Sequence, residues 1–199
     1  MGLSLTTQAQ RLDNKVIPNE VYKPVVKALS YFPALDDYTI EFKFKKTLKN
    51  RVMQAQPQIK TLLKGKKNRA YKIVMSRNLF MSDSSATLDQ LPHDVLVGWF
   101  VHELGHIMDY KDRSSANMFG FAINYITSKP FLKRSEKRAD TYATENGGGK
   151  ELLKTKKFIL FKSKFPKEYK AKIKDLYPSP EEITALLSED GEVELEIED

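Results

Sequence analysis

The pentapeptide His102-Glu103-Leu104-Gly105-His106 constrains this chain more than any other stretch, because it sets two imidazoles and a carboxylate on one short piece of helix. From Pro92 to Tyr110, the residues Val95, Leu96, Trp99, Phe100, Leu104 and Ile107 recur at helical spacing, and Pro92 is tolerated in a first turn, where its missing N–H is not needed. Helical positions i and i+4 share a face, so His102 and His106 can hold one metal ion from the same side, with Glu103 between them able to work on water.

Two histidines do not complete such a site, and a third ligand has to come from elsewhere. Thirty residues after His106 a second helical segment, Phe131 to Glu145, carries Glu136 and Asp140 one turn apart on a shared face and stops at Asn146-Gly147-Gly148-Gly149. With Glu136 as the third ligand, Asp140 stands where it can accept the far N–H of a ligating histidine, His102 in this reading, and fix its tautomer. Asp109 shares the histidine face, but at about 1.5 Å per residue it lies roughly 10 Å along the axis from His102, and could chelate only if the helix broke after His106. His93, more than two turns upstream, reads as an ordinary helix-start residue.

The string HELGH followed by E-x-x-A-D resembles the gluzincin metallopeptidases, in particular the HtpX-like and CAAX-prenyl-protease families and the small soluble minigluzincins; the likeness covers roughly residues 71 to 145. That resemblance implies a zinc ion on His102, His106 and Glu136, Glu103 as general base and acid in peptide-bond hydrolysis, and Asp140 as support for a ligand. It also implies a zincin-like fold in which a sheet strand beside the cleft offers its backbone to an extended substrate, with Tyr71 to Arg77, hence Tyr71, Ile73 and Met75, suggested for that strand; an interior core strand is the other reading of the same residues. The chain departs from the larger relatives in having no membrane-spanning helices and no downstream histidine to assist an oxyanion. Tyr125 and Tyr142 are then the candidates for that task, by nearness in sequence.

At 199 residues, 41% hydrophobic and 30% charged, the chain can bury one sizeable core, and residues 1–188 are expected to form a single domain followed by an acidic tail over residues 189–199. The absence of cysteine excludes disulfides and thiolate ligands, leaving nitrogen and oxygen donors for a metal. Met1 through Lys15 has no apolar h-region, which favours a cytoplasmic setting, although a leader removed before this numbering is compatible with it. Gly2 through Thr6 fits a loose myristoylation pattern of the kind that arises by chance.

Charge is spread unevenly. Nine of the 26 acidic residues and no basic one fall between Glu181 and Asp199, so the first 180 residues hold 33 basic against 17 acidic groups, a balance of +16. Such a field can attract nucleic acid, anionic lipid or acidic protein segments, and this supplies the alternative to an enzyme: a zinc-stabilised module that binds a polyanion without turnover. Phe158, Phe161, Phe165 and Tyr169 could serve as stacking platforms, yet their helical spacing suits core positions.

The rest of the chain reads as α+β, with three to four strands in a small mixed or antiparallel sheet packed on the two motif helices and helices at the C-terminal end. Asn19 to Tyr31 is helical with a kink at Pro24; Tyr38 to Lys45 alternates as a half-buried strand; Arg51 to Gln56 and Ala70 to Ser76 follow as strands, ahead of the loop Ser82 to Ser85. Met118 to Ile126 is apolar nearly all round and too short to span a bilayer, which predicts a buried helix over the site. Lys150 to Lys164 and Pro166 to Leu176 are basic helical segments. In the tail, Glu192 to Asp199 alternates acid and apolar residues as a strand would, and could dock back near the cleft.

Overall fold

The computed structural model describes residues 12–82 and 85–189. The tail pattern over residues 192–199 and the pattern over residues 2–6 lie outside the described residues. The architecture is α+β: a four-stranded sheet and a two-stranded pair, with helices making up most of the rest.

In the larger sheet the spatial order is β1 (Lys15–Val16), β2 (Ile40–Lys45), β4 (Tyr71–Ser76), β3 (Met53–Pro57). β1, β2 and β4 run parallel, and β3 pairs antiparallel with β4 through Met53 opposite Met75 and Ala55 opposite Ile73. β2 shows the alternation its sequence predicts, with Ile40 and Phe42 buried and Glu41 and Lys43 partly exposed. The expected substrate strand is corrected here. Tyr71, Ile73 and Met75 belong to β4, an interior strand bonded on both sides, and all three are buried, whereas the edges of the sheet are β1 and β3, of which β3 packs on the helix that carries HELGH. Three near-continuous apolar residues, Ile73 to Met75, mark a strand covered on both faces, and a parallel neighbour plus an antiparallel one leave it no edge. The hairpin β5 (Asn78–Phe80) and β6 (Ser85–Thr87) was not foreseen, because its strands are too short to show a period.

α1 (Tyr22–Leu29) follows a 3-10 turn, Asn19–Val21, so Pro24 falls in the first turn of the helix rather than kinking its middle. α2 (His93–Lys111) carries HELGH and is buried from Val95 to Tyr110 on all sides. It is surrounded by α1, by β3, by α4 (Lys129–Ala143) and by α5 (Gly149–Lys157). Encirclement explains why its apolar residues spread around the helix instead of forming one stripe. α4 ends in a wide turn where Gly147 takes φ 85°, a left-handed value that glycine adopts without penalty, and the chain reverses into α5. α6 (Lys167–Leu176) matches its predicted span, and α7 (Pro180–Glu189) extends the C-terminal helices into the acidic region.

α3 (Ser115–Thr127) departs from expectation. It packs chiefly on α4 and buries only Met118 and Phe121, leaving most of its apolar surface in solvent. Phe161 is likewise exposed, while Phe165 and Tyr169 are core residues and Phe158 is partly so. No helix among the described residues is long and apolar enough to cross a membrane.

Candidate metal centre

The centre is made where α2 and α4 come unusually close. A Cβ on Gly105 would overlap the Ala139 carbonyl of α4, and one on Gly98 would overlap the Glu151 carbonyl and Thr155 of α5, so glycine at both places lets three helices meet nearly backbone to backbone. α4 buries the stripe Ser135, Glu136, Ala139, Asp140 and Ala143 against α2, which is how a helix this polar commits two carboxylates to the interior.

That approach brings His102, His106 and Glu136 together: one ligand atom from each lies within 4.8 Å of the others, and all three side chains are buried. Glu136 Oε2 is 3.2 Å from His102 Nε2 and 3.3 Å from His106 Nε2. The other Glu136 oxygen, Oε1, accepts from the Tyr125 hydroxyl at 2.5 Å. His102 Nδ1 lies 2.6 Å from Asp140 Oδ1, and Asp140 Oδ2 lies 3.0 Å from Lys156 Nζ. A carboxylate on Nδ1 places the proton there and leaves the Nε2 lone pair for the cluster. A buried carboxylate with two converging imidazole nitrogens, no thiolate and a backing Asp is a donor set suited to a borderline divalent ion such as zinc.

Burial and these pairings set the charges. Burial alone would lower the His102 pKa, but the Asp140 charge and hydrogen bond, with Glu136 behind them, outweigh it and raise it to about 10. Burial likewise pushes Glu136 and Asp140 up, and this is overcome for Glu136 by His106 and His102 and for Asp140 by Lys156 and His102, so both stay below the usual carboxylate range. Glu103 differs. Its burial dominates, the histidines only partly offset it, and its pKa is raised. That is the direction a proton-shuttling carboxylate needs.

Glu103 Oε2 accepts the Ala55 N–H of β3 at 2.5 Å, which ties the helix to the free sheet edge. The ladder bonds Ser76 N–H to Val52 and Gln58 N–H to Ala70 alternate so that the backbone groups of Met53, Ala55 and Pro57 point away from β4. Pro57 has no N–H, as suits an edge. A cavity of about 560 Å³ opens beside this edge and is floored by His102, Glu103, His106 and Glu136, with apolar walls that include Trp99, Phe121 and Ile173. Arg51 and Lys172 also line it, and neither makes an ion pair with a carboxylate among the described residues; Lys172 donates to the Asn50 carbonyl at 3.1 Å.

The site residues taken from the sequence divide clearly. His102, Glu103, His106, Glu136 and Asp140 assemble as expected. His93 stays exposed beside Asp94, and Asp109 is held by Arg113 and Arg138. Tyr125 reaches the centre, but its hydroxyl is spent on Glu136. Tyr142, six residues beyond Glu136, falls on another face of α4 and does not line the cavity. Three contributors were missed. Tyr110 stacks on His106 with ring centroids 5.9 Å apart, and its i+4 spacing from His106 was a readable signal. Tyr177 lies 5.5 Å from the His102 ring with Lys156 Nζ 4.2 Å over its own ring, and nothing in the local sequence marks either residue.

Neither family models, curated proteins nor solved structures gave a match to this chain.

Proposed function

We propose that this protein is a zinc-dependent metallopeptidase of the gluzincin type, with a zincin-like arrangement of β3, α2 and α4. The observation that carries the proposal is the convergence of His102, His106 and Glu136 with Glu103 beside them, on the floor of a cleft bounded by a free strand edge. Held by three protein ligands, a zinc ion supplies Lewis acidity and lowers the pKa of water to around 7. An extended peptide adds to β3 through the outward backbone groups of Met53 and the Ala55 carbonyl, the Ala55 N–H being held by Glu103, which positions the peptide's carbonyl over the centre. Glu103 takes the proton from the attacking water and returns it to the leaving amine. Because Oε2 faces the Ala55 N–H, Oε1 is the oxygen that holds the proton in transit. Tyr125 keeps Glu136 oriented, and Tyr110, Tyr169 and Tyr177, which line the cavity and do not bond Glu136, are the hydroxyls that could serve a developing oxyanion. Arg51 and Lys172 favour peptides carrying an anionic group near an apolar side chain.

The test is metal analysis of the purified protein together with cleavage of a mixed peptide library, wild type beside Glu103→Ala. The expected result is about one zinc per chain in both proteins and hydrolysis by wild type alone, since Glu103 is not a ligand. Zinc in both with cleavage in neither, and salt-sensitive binding of nucleic acid, would replace the enzyme with the polyanion-binding module.

A further inference from the structure

α3 has no charged residue along its 13 positions. Phe119, Ile123 and Ile126, spaced i, i+4 and i+7 on one side, are 57%, 64% and 83% exposed. Next to it the 3-10 turn Ile59–Thr61 and its continuation present Ile59 and Leu63, 79% and 84% exposed, and Ser115 Oγ at the start of α3 donates to the Leu62 carbonyl, joining the two segments. Five of the eight strongly exposed large hydrophobics among the described residues therefore sit in one place, which scattered surface residues do not do. The border is cationic. Lys60, Lys64, Lys66 and Lys67 are all exposed; Asp37 lines a concavity with Lys64 and Lys67, and Lys66 donates to the Asp112 carbonyl, so the four lysines outnumber the two acidic residues that these contacts place beside them.

We propose that this face seats the protein on an anionic lipid bilayer, with Ile59, Leu63, Phe119, Ile123 and Ile126 entering the boundary between headgroups and acyl chains and Lys60, Lys64, Lys66 and Lys67 meeting the lipid phosphates. An apolar patch flanked by a lysine-rich segment suits a planar anionic interface. Since Ile59, Phe119 and Ile126 also line the cavity, the cleft mouth then lies against the bilayer. The proposal is independent of peptidase activity, and protein carrying Glu103→Ala must bind the membrane as wild type does.

Co-sedimentation with extruded vesicles tests it, using phosphatidylcholine alone and phosphatidylcholine with about 30% phosphatidylserine, at low and at raised salt. Wild type is expected in the pellet with the anionic vesicles and progressively less as salt rises. Lys64→Glu with Lys67→Glu should reduce partitioning by roughly tenfold or more. Leu63→Ser with Ile123→Ser should reduce it at every salt concentration without changing the melting temperature, since both side chains are in solvent and neither lines the cavity. Wild type that remains in the supernatant, or pellets equally with neutral vesicles, overturns the proposal, as do variants that partition unchanged. A concentration-dependent dimer abolished by the Leu63→Ser and Ile123→Ser pair would assign the face to a second copy and also overturn it.

Discussion

Both oxygens of Glu136 are engaged, Oε2 by the two imidazoles and Oε1 by the Tyr125 hydroxyl, so its orientation is fixed before any metal arrives. Removing the carboxylate should therefore cost more than removing its support. In a competition titration against a chelator, Glu136→Ala should no longer hold zinc. Tyr125→Phe, which deletes one hydrogen bond to the ligand, should weaken it by about 10–100-fold, and unchanged affinity would show that the hydroxyl does not position Glu136. Asp140→Asn belongs in the same range and has a second consequence, because Lys156 is buried and loses the carboxylate that compensates its charge. Glu136 and Asp140 were readable from their spacing in the sequence. Lys156 was not, since a buried lysine in a lysine-rich segment looks like its neighbours until the fold sets it against Asp140.

The meeting of α2 and α4 depends on glycine where the helices touch, and Gly105 of α2 and Gly120 of α3 separate intrinsic preference from packing. Alanine is the better helix former by about 1 kcal/mol. At Gly105 that gain is overwhelmed, because the new methyl group runs into the Ala139 backbone, which cannot yield as a side chain tip would. Gly105→Ala should destabilise by about 1–3 kcal/mol or more and weaken the metal site with it. Gly120→Ala on α3 meets nothing within 4 Å and should stabilise by up to about 1 kcal/mol. Thermal melts of the two variants against wild type check both signs, and a destabilised Gly120→Ala would mean that α3 is more closely covered than its exposure shows. The same contrast accounts for how the helices were read. α2 and α4 have motif, period and stop signals within their own sequence, whereas the apolar run of α3 predicts burial only if some other element covers it.

For the whole molecule, pH acts in opposite directions on the metal-free and metal-loaded forms. In the metal-free protein His102 has a pKa near 10 against an ordinary 6.5, so its contribution is complete below about 6.5 and disappears as pH rises through 10. Glu103, raised from 4.5, acts in the same direction, while Glu136 and Asp140, both lowered, contribute above their ordinary values and lose that contribution in acid. With a chelator present, the melting temperature should be highest between about pH 4.5 and 6.5 and fall toward pH 10. Metal binding requires neutral imidazoles and releases protons, so the stabilisation on adding zinc should grow across the same interval. Differential scanning at several pH values, with chelator and with zinc, measures both. A zinc increment that does not change with pH would contradict the proton competition at His102.

The α+β class, the two motif helices, three of the strands and the identity of the clustered donors are legible in the sequence, because each of these follows from local period or from spacing within one or two turns. Tertiary packing sets which strands stand at the edges of the sheet, since Tyr71 to Ser76 and Met53 to Pro57 are both extended segments and a neighbour on each side, not composition, makes β4 interior. It also decided that Tyr125 serves Glu136, that Tyr177 and Lys156 attend His102 and Asp140, and that α3 is bare. These are contacts between residues 11 to 75 positions apart, or the want of such contacts, and they come from the way helices pack around α2, which no local pattern encodes.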